Sequence, residues 1–211
     1  MSELEWVKAP RQIRSRQTLE RLLDAAESLL RTRSFHQISV AEIARQGGSS
    51  VGAFYGRFRD KNALLSAMQQ RYAEEGRATA AVALAPSAWV GTAIADVIAH
   101  LCAFVVEELR QNRGRHRAFL MAAYADPEFA ARFGEVTADT IAAIADLLEA
   151  RATEFRHPDP RAAADFLHRI LYGILEQDAL YHGAPTARVL DDAALAGELA
   201  RACTRYLDVV S

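Results

Sequence analysis

The stretch SVAEIARQGGSSVGAFYGRF, residues 39–58, leaves the chain few ways to fold. Ser39-Val40-Ala41-Glu42 is a capping box: the serine hydroxyl accepts from the amide of residue 42, and the glutamate reaches back to the amide of residue 39. A short helix therefore starts at Val40. Gly47-Gly48 ends it, because glycine permits the left-handed backbone found just past a helix end. Ser50 caps a second short helix over about 51–56. Ile43, Phe54 and Phe58 give the two helices a shared apolar core, and Ala44 is small where they cross. Two short helices joined by a tight glycine turn are a helix-turn-helix, whose second helix enters the major groove of DNA.

The glycines allow one rival reading, a phosphate-binding loop. A P-loop needs Lys and Ser or Thr after its second glycine, and a dinucleotide fingerprint needs a glycine at its second position. Ala53-Phe54 and Ser49 stand there instead, and VAEIARQ before the glycines has helical rather than strand spacing. The phosphate reading fails on both counts.

Beyond this stretch the spacing stays helical. Leu19, Leu22, Leu23, Ala26, Leu29 and Leu30 recur at i, i+3, i+4 and i+7, which predicts an amphipathic helix over 17–32. Asp60 caps a long helix over 61–85, closed by Pro86. Further helices are expected near 89–111, 115–125, 127–153, 159–182 and 191–209, separated by Gly114, Asp126-Pro127, His157-Pro158-Asp159-Pro160 and Gly183-Ala184-Pro185. The expected fold is all-α: a three-helix N-terminal helix-turn-helix domain joined by a long helix to a larger C-terminal helical bundle. The expected boundaries are a basic arm over 1–16, the helix-turn-helix domain over 17–66, and the remainder over 67–211.

Charge is divided unevenly along the chain. Residues 1–78 carry a net +4 and residues 79–211 a net −6. Lys8, Arg11, Arg14 and Arg16 fall within nine residues that contain no acid. A basic head on an acidic body suits a polyanionic partner for the head. No apolar run approaches the roughly 20 residues of a membrane span, and the first residues lack the apolar core of a secretory signal. Cys102 and Cys203 sit in apolar helical patterns and read as buried free thiols. The cytoplasm is the expected compartment, with no membrane partner.

Residues 39–65, SVAEIARQGGSSVGAFYGRFRDKNALL, resemble the DNA-binding motif of TetR-type (tetracycline-repressor-like) transcriptional regulators. The resemblance rests on Ile43, Ala44, Gly48, Ser50, Tyr55, Phe58, Lys61, Leu64 and Leu65 at the family's spacings, and it covers about residues 17–70. The rest matches in length, helicity and order only. Ser49 departs from the usual apolar residue after the turn glycine. Val40-Ala41 lacks the Thr and Arg that reach DNA in some relatives. Gly52 weakens the second helix by roughly 1 kcal/mol relative to alanine.

The resemblance implies a regulator, most simply a repressor, that binds palindromic operator DNA as a homodimer. Tyr55 and Lys61 would contact phosphate, and Ser50, Val51, Gly52 and Ala53 would face the groove. Val51 and Ala53 can touch thymine methyls, but none of these makes the bidentate guanine contact of arginine. Direct readout is therefore expected to be sparse, with Arg57 the one long polar side chain nearby and DNA shape contributing to specificity. Arg14 and Arg16, next to the first helix, are expected on phosphates.

The resemblance also implies a C-terminal part that dimerises and senses a small molecule. The dimer candidates are Leu167, Leu171, Leu175, Leu195, Leu199, Cys203 and Tyr206. The ligand-binding candidates are Trp89, His100, Phe104, Met121, Tyr124, Phe133, Phe166, Arg169 and Tyr172: large apolar side chains with a few polar groups, as small-molecule cavities use. They suit a mostly apolar effector with one anionic or hydrogen-bonding group. No catalytic residue, cofactor or metal site is expected, because no zinc-type histidine or cysteine spacing occurs and no cofactor loop or catalytic set stands out. Asp178 and His182 at i, i+4 come nearest to a catalytic pair. Two alternatives stay open: a ligand-independent DNA-organising protein on the same fold, and a helical enzyme.

Overall fold

A computed structural model describes residues 13–181 and 190–210. Its α-helices are α1 (Ile13–Leu30), α2 (Val40–Gln46), α3 (Val51–Tyr55), α4 (Lys61–Ala83), α5 (Ile94–Gln111), α6 (Arg113–Ala125), α7 (Pro127–Ala150), α8 (Pro160–Tyr181) and α9 (Asp192–Leu207). No strand forms among the described residues beyond a single bridge between Phe155 and Val209, so the fold is all-α. No described helix is long and apolar enough to cross a membrane.

The chain divides into two compact units. The first runs to Glu75 and takes in Arg113–Phe133; the second comprises Gly76–Asn112 and the chain from Gly134 onward. The chain passes between them inside α4, at the α5–α6 junction and inside α7.

In the first unit, Leu22, Leu23, Ile43, Phe54, Phe58, Leu64, Met68 and Phe119 are wholly buried in one core. The i, i+3, i+4 pattern of α1 becomes the face it turns to α2 and α6. One contact sets how closely α6 approaches. A Cβ on Gly114 would stand 1.8 Å from the carbonyl oxygen of Leu30, so only glycine fits where α6 begins. This is why α6 runs through Gly114, which the sequence marks as a break. A second tie is ionic: Arg71 on α4 reaches Glu20 at 3.0 Å, Asp24 at 2.8 Å and Glu27 at 3.0 Å, all on α1. These carboxylates hold the Arg71 guanidinium above its ordinary pKa against the opposing effect of burial.

In the second unit, α5 packs along α9, with Ile94, Val97, Cys102, Val106, Leu199, Cys203 and Leu207 in its core. Arg110 joins three segments, donating to Asp192 at 2.7 Å, the Leu190 carbonyl at 2.9 Å and Asp178 at 3.4 Å. The start of α5 departs from expectation. Residues Pro86–Trp89 form a 3-10 turn, Gly91 takes φ of +80°, and the helix begins only at Ile94. There the Ile94 amide donates to Glu154 Oε2 at 2.8 Å.

Of the expected dimer residues, Leu167, Leu175, Leu195, Leu199 and Cys203 are buried in the core of this unit, and Leu171 and Tyr206 pack half-buried against them. The sequence shows that α8 and α9 carry more apolar side chains than one face needs, but not which side of each turns inward.

Candidate DNA interface

The helix-turn-helix is built by side chains close in sequence. The Ser39 hydroxyl accepts from the Glu42 amide at 3.2 Å, and Glu42 Oε2 accepts from the Ser39 amide at 2.8 Å. Arg33 clamps the other carboxylate oxygen at 2.6 Å. The bond from Arg33, then those from the Ser39 amide and hydroxyl, pull the Glu42 carboxyl down to about 2.

The turn is a Schellman motif: Ser49 N–H donates to the Ala44 carbonyl at 2.8 Å and Gly48 N–H to the Arg45 carbonyl at 3.2 Å, with Gly48 at φ +58°. Gly47 sits in a tight place, where a Cβ would stand 3.0 Å from the Arg21 carbonyl oxygen and the backbone of α1 would have to give way. The Ser50 hydroxyl then accepts from the Ala53 amide at 3.0 Å and starts α3.

One side of α3 is buried and the other open. Phe54 is wholly buried against Phe58, their ring centroids 5.1 Å apart. Ser50, Val51, Gly52 and Tyr55 are exposed, and Ala53 is half-buried. Tyr55 lies edge-on to Phe54 with its phenol in solvent. A Cβ on Gly52 would meet nothing nearer than Ser50 Oγ at 3.8 Å, so the protomer itself does not require glycine there.

Arg16 is exposed at the start of α1. The side chain of Arg14, and Lys8 and Arg11 of the basic arm, lie outside the described residues. Arg57 is half-buried, with Nη1 toward the Ala53 carbonyl at 3.4 Å. Burial first, and the like charge of Arg21 second, push its guanidinium below the ordinary arginine value. Arg21 is thus a second cation beside Arg57. The sequence hides this because the two stand far apart in it and meet only when α1 packs beside the motif.

Lys61 takes an unforeseen position. Its ammonium donates to the carbonyls of Phe35 at 2.7 Å and Ile38 at 2.9 Å and sits 4.5 Å from the Phe35 ring centroid. Burial lowers its pKa. In this structure it is turned into the protein, fastening the 3-10 turn at Phe35–Gln37 to the start of α4.

The nine ligand-binding candidates are divided between the units. Met121, Tyr124 and Phe133 belong to the first: Tyr124 is 92% and Met121 56% exposed, and Phe133 packs half-buried on the core. In the second, Trp89 donates to the Ala83 carbonyl at 2.7 Å, and His100 Nδ1 lies 2.7 Å from the Asp96 carbonyl oxygen. Phe104 and Phe166 are exposed, and Arg169 is exposed and paired with Asp165 at 2.6 Å. Tyr172 turns inward and stacks on His168 with centroids 4.3 Å apart.

Two polar groups missed in the sequence stand at helical spacing around Tyr172. His168 and Glu176 lie one turn to either side, and Glu108 acts on the phenol from α5. Burial and then these two carboxylates raise Tyr172 to about 12. Burial raises Glu176 and lowers His168. A 3.6-residue count could have found this row, since 168, 172 and 176 repeat at i, i+4, i+8. Of the Asp178–His182 pair, Asp178 serves Arg110 at 3.4 Å, and His182 lies outside the described residues.

Residues 22–68 match the family model "Bacterial regulatory proteins, tetR family", and residues 93–207 match "Tetracyclin repressor-like, C-terminal domain". The chain belongs to the TetR family. Solved structures share the fold. A TetR-family protein from Mesorhizobium loti superposes with a TM-score of 0.73 at 18% identity, covering 94% of this chain and 100% of that one. A TetR transcription regulator from Haloarcula marismortui gives 0.70 at 18% identity over 92% and 97%. NalD, the secondary repressor of the MexAB-OprM multidrug efflux pump in Pseudomonas aeruginosa, gives 0.62 at 22% identity over 92% and 98%. No curated protein matches the sequence. TetR-family members are transcriptional regulators that bind DNA through this helix-turn-helix, generally without enzymatic activity. The family also binds small-molecule effectors through its C-terminal domain, usually as dimers.

Proposed function

We propose that this protein is a ligand-responsive repressor that binds a palindromic operator as a homodimer, in the cytoplasm. The observation that carries the DNA contact is the open side of α3: a helix capped at Ser50, anchored by buried Phe54, with Ser50, Val51, Gly52 and Tyr55 uncovered. The vacant space beside Gly52 suits close approach of a base edge or phosphate. Arg21 and Arg57 supply positive charge beside the motif, and Arg14 and Arg16, at the start of α1, are assigned to phosphate contacts. Lys61 reaches phosphate in this reading only by giving up its two carbonyls.

The dimer is assigned to the outer side of α8. Phe166, Ile174 and Tyr181 stand there 46%, 39% and 60% exposed, with Ile170 between them. Beyond their own stretch of helix backbone, Gly173 on α8 and Gly197 on α9 have nothing within 4 Å of where a Cβ would stand. Apolar side chains set among such glycines suit helices from a second copy. The effector is assigned to the second unit and is mostly apolar. The side chains around Tyr172 are His168, Glu176 and Glu108, and Arg169 is already paired with Asp165, so the effector's polar end is a hydrogen-bonding group.

Selection from a random duplex pool tests the DNA reading. The protein should enrich an inverted repeat with half-sites about one helical turn apart, and Val51→Asn should change the enriched half-site. A pool no different from the input contradicts it.

A further inference from the structure

The chain has two cysteines, Cys102 and Cys203, about 100 residues apart. Both are free and buried, on α5 and α9, in the single core of the second unit. Arg110 near the end of α5 meets Asp192 at the start of α9, and Ile94 at the start of α5 meets Glu154, whose carbonyl accepts from Val210 just past α9, so the two helices run antiparallel with Cys102 and Cys203 at matching heights. Their helices run alongside each other, with Ala196 and Ala200 as further small side chains on α9. The two cysteines stand on the two helices that pack against each other in this core.

We propose that Cys102 and Cys203 are a redox modification site, which a hydroperoxide converts into an intramolecular disulfide joining α5 to α9. The Cys203 sulfur attacks a peroxide oxygen. The O–O bond breaks, Cys203 becomes a sulfenic acid, and the thiol proton leaves with the departing oxygen as water. The Cys102 sulfur then attacks the sulfenic sulfur; the S–S bond forms, the S–O bond breaks, and a second water leaves with the Cys102 proton. Two thiols lose two electrons and two protons in all, and hydrogen peroxide is reduced to two waters. The order in which the two sulfurs react does not alter the product, since first attack by Cys102 gives the same disulfide and the same two waters. Burial selects the oxidant: peroxide is little larger than water and enters on local opening, whereas a bulky disulfide such as oxidised glutathione does not.

The test uses the purified, reduced, full-length chain in native buffer with hydrogen peroxide. The chain should lose the mass of two hydrogen atoms. Non-reducing peptide mapping should give one linked peptide pair containing residues 102 and 203, and dithiothreitol should reverse it. A cross-link closing a loop of this length restricts the unfolded chain, so the oxidised protein should melt about 5 °C or more above the reduced one. Cys102→Ala and Cys203→Ala should abolish both the linked peptide and the peroxide-dependent rise; the wild-type map decides the matter if either fails to fold. Three results would overturn the proposal: thiols that stay free at a peroxide dose that oxidises the denatured chain, a disulfide between chains, or a mixed disulfide formed with oxidised glutathione on the native protein. None of these readouts depends on DNA or effector.

Discussion

Removing the Lys61 ammonium leaves the carbonyls of Phe35 and Ile38 without their donor. Lys61→Met should therefore destabilise the first unit by about 1–2 kcal/mol, read by urea unfolding. A variant of unchanged stability that has lost DNA affinity would return Lys61 to a phosphate-binding role. Tyr55→Phe should do the opposite. Its phenol is in solvent, so stability should hold while affinity falls by a similar factor for every DNA sequence, as a backbone contact requires. Why the sequence told these two residues apart poorly is plain from their neighbours. Tyr55 is placed by its own short helix, and its exposure follows from the burial of Phe54 beside it. Lys61 is placed by carbonyls more than twenty residues away, and spacing says nothing of where a long side chain turns.

The capping box predicts how acid affects α2. The Glu42 carboxyl ordinarily titrates near 4.5 and is held at about 2 in the fold. A depressed carboxylate stabilises the fold fully above its unfolded value and loses that contribution as pH falls from about 4.5 toward 2. Glu42→Gln should flatten the acid limb of a stability–pH curve in that window, and an unaltered limb would show that Arg33 and Ser39 add nothing to stability there. Ser39→Ala, which removes the cap, should cost about 1 kcal/mol. At the α1–α6 contact, Gly114→Ala forces a methyl into the Leu30 carbonyl and should cost at least about 2 kcal/mol; a neutral result would mean that α6 is free to shift. Capped ends, the glycine turn and the apolar stripe of α1 were legible in the sequence because they are set within a few residues. The start of α5 and the passage of α6 through Gly114 were not. Each depends on a distant partner, Glu154 for the first and Leu30 for the second.

At the scale of the whole molecule, the inner and outer sides of α8 and α9 should respond differently to charge. Leu199→Glu places an unpaired carboxylate in the core and should unfold the second unit. Ile174→Glu alters only the open side of α8, so the protein should stay helical but sediment as a monomer and bind operator weakly. A dimer that survives Ile174→Glu would move the interface elsewhere. The central claim is that α3 and the basic residues around it hold a DNA backbone, and it makes a quantitative demand. Each phosphate neutralised by Arg or Lys releases counterions, giving a slope of about −0.9 per contact in log affinity against log salt. Fluorescence anisotropy of the purified protein on its selected duplex, titrated from low to high salt, measures that slope. The account predicts a steep negative line equivalent to several phosphate contacts per dimer, made shallower by Arg57→Ala and Arg21→Ala. Affinity that does not change with salt, or no binding to duplex at any salt, would contradict it.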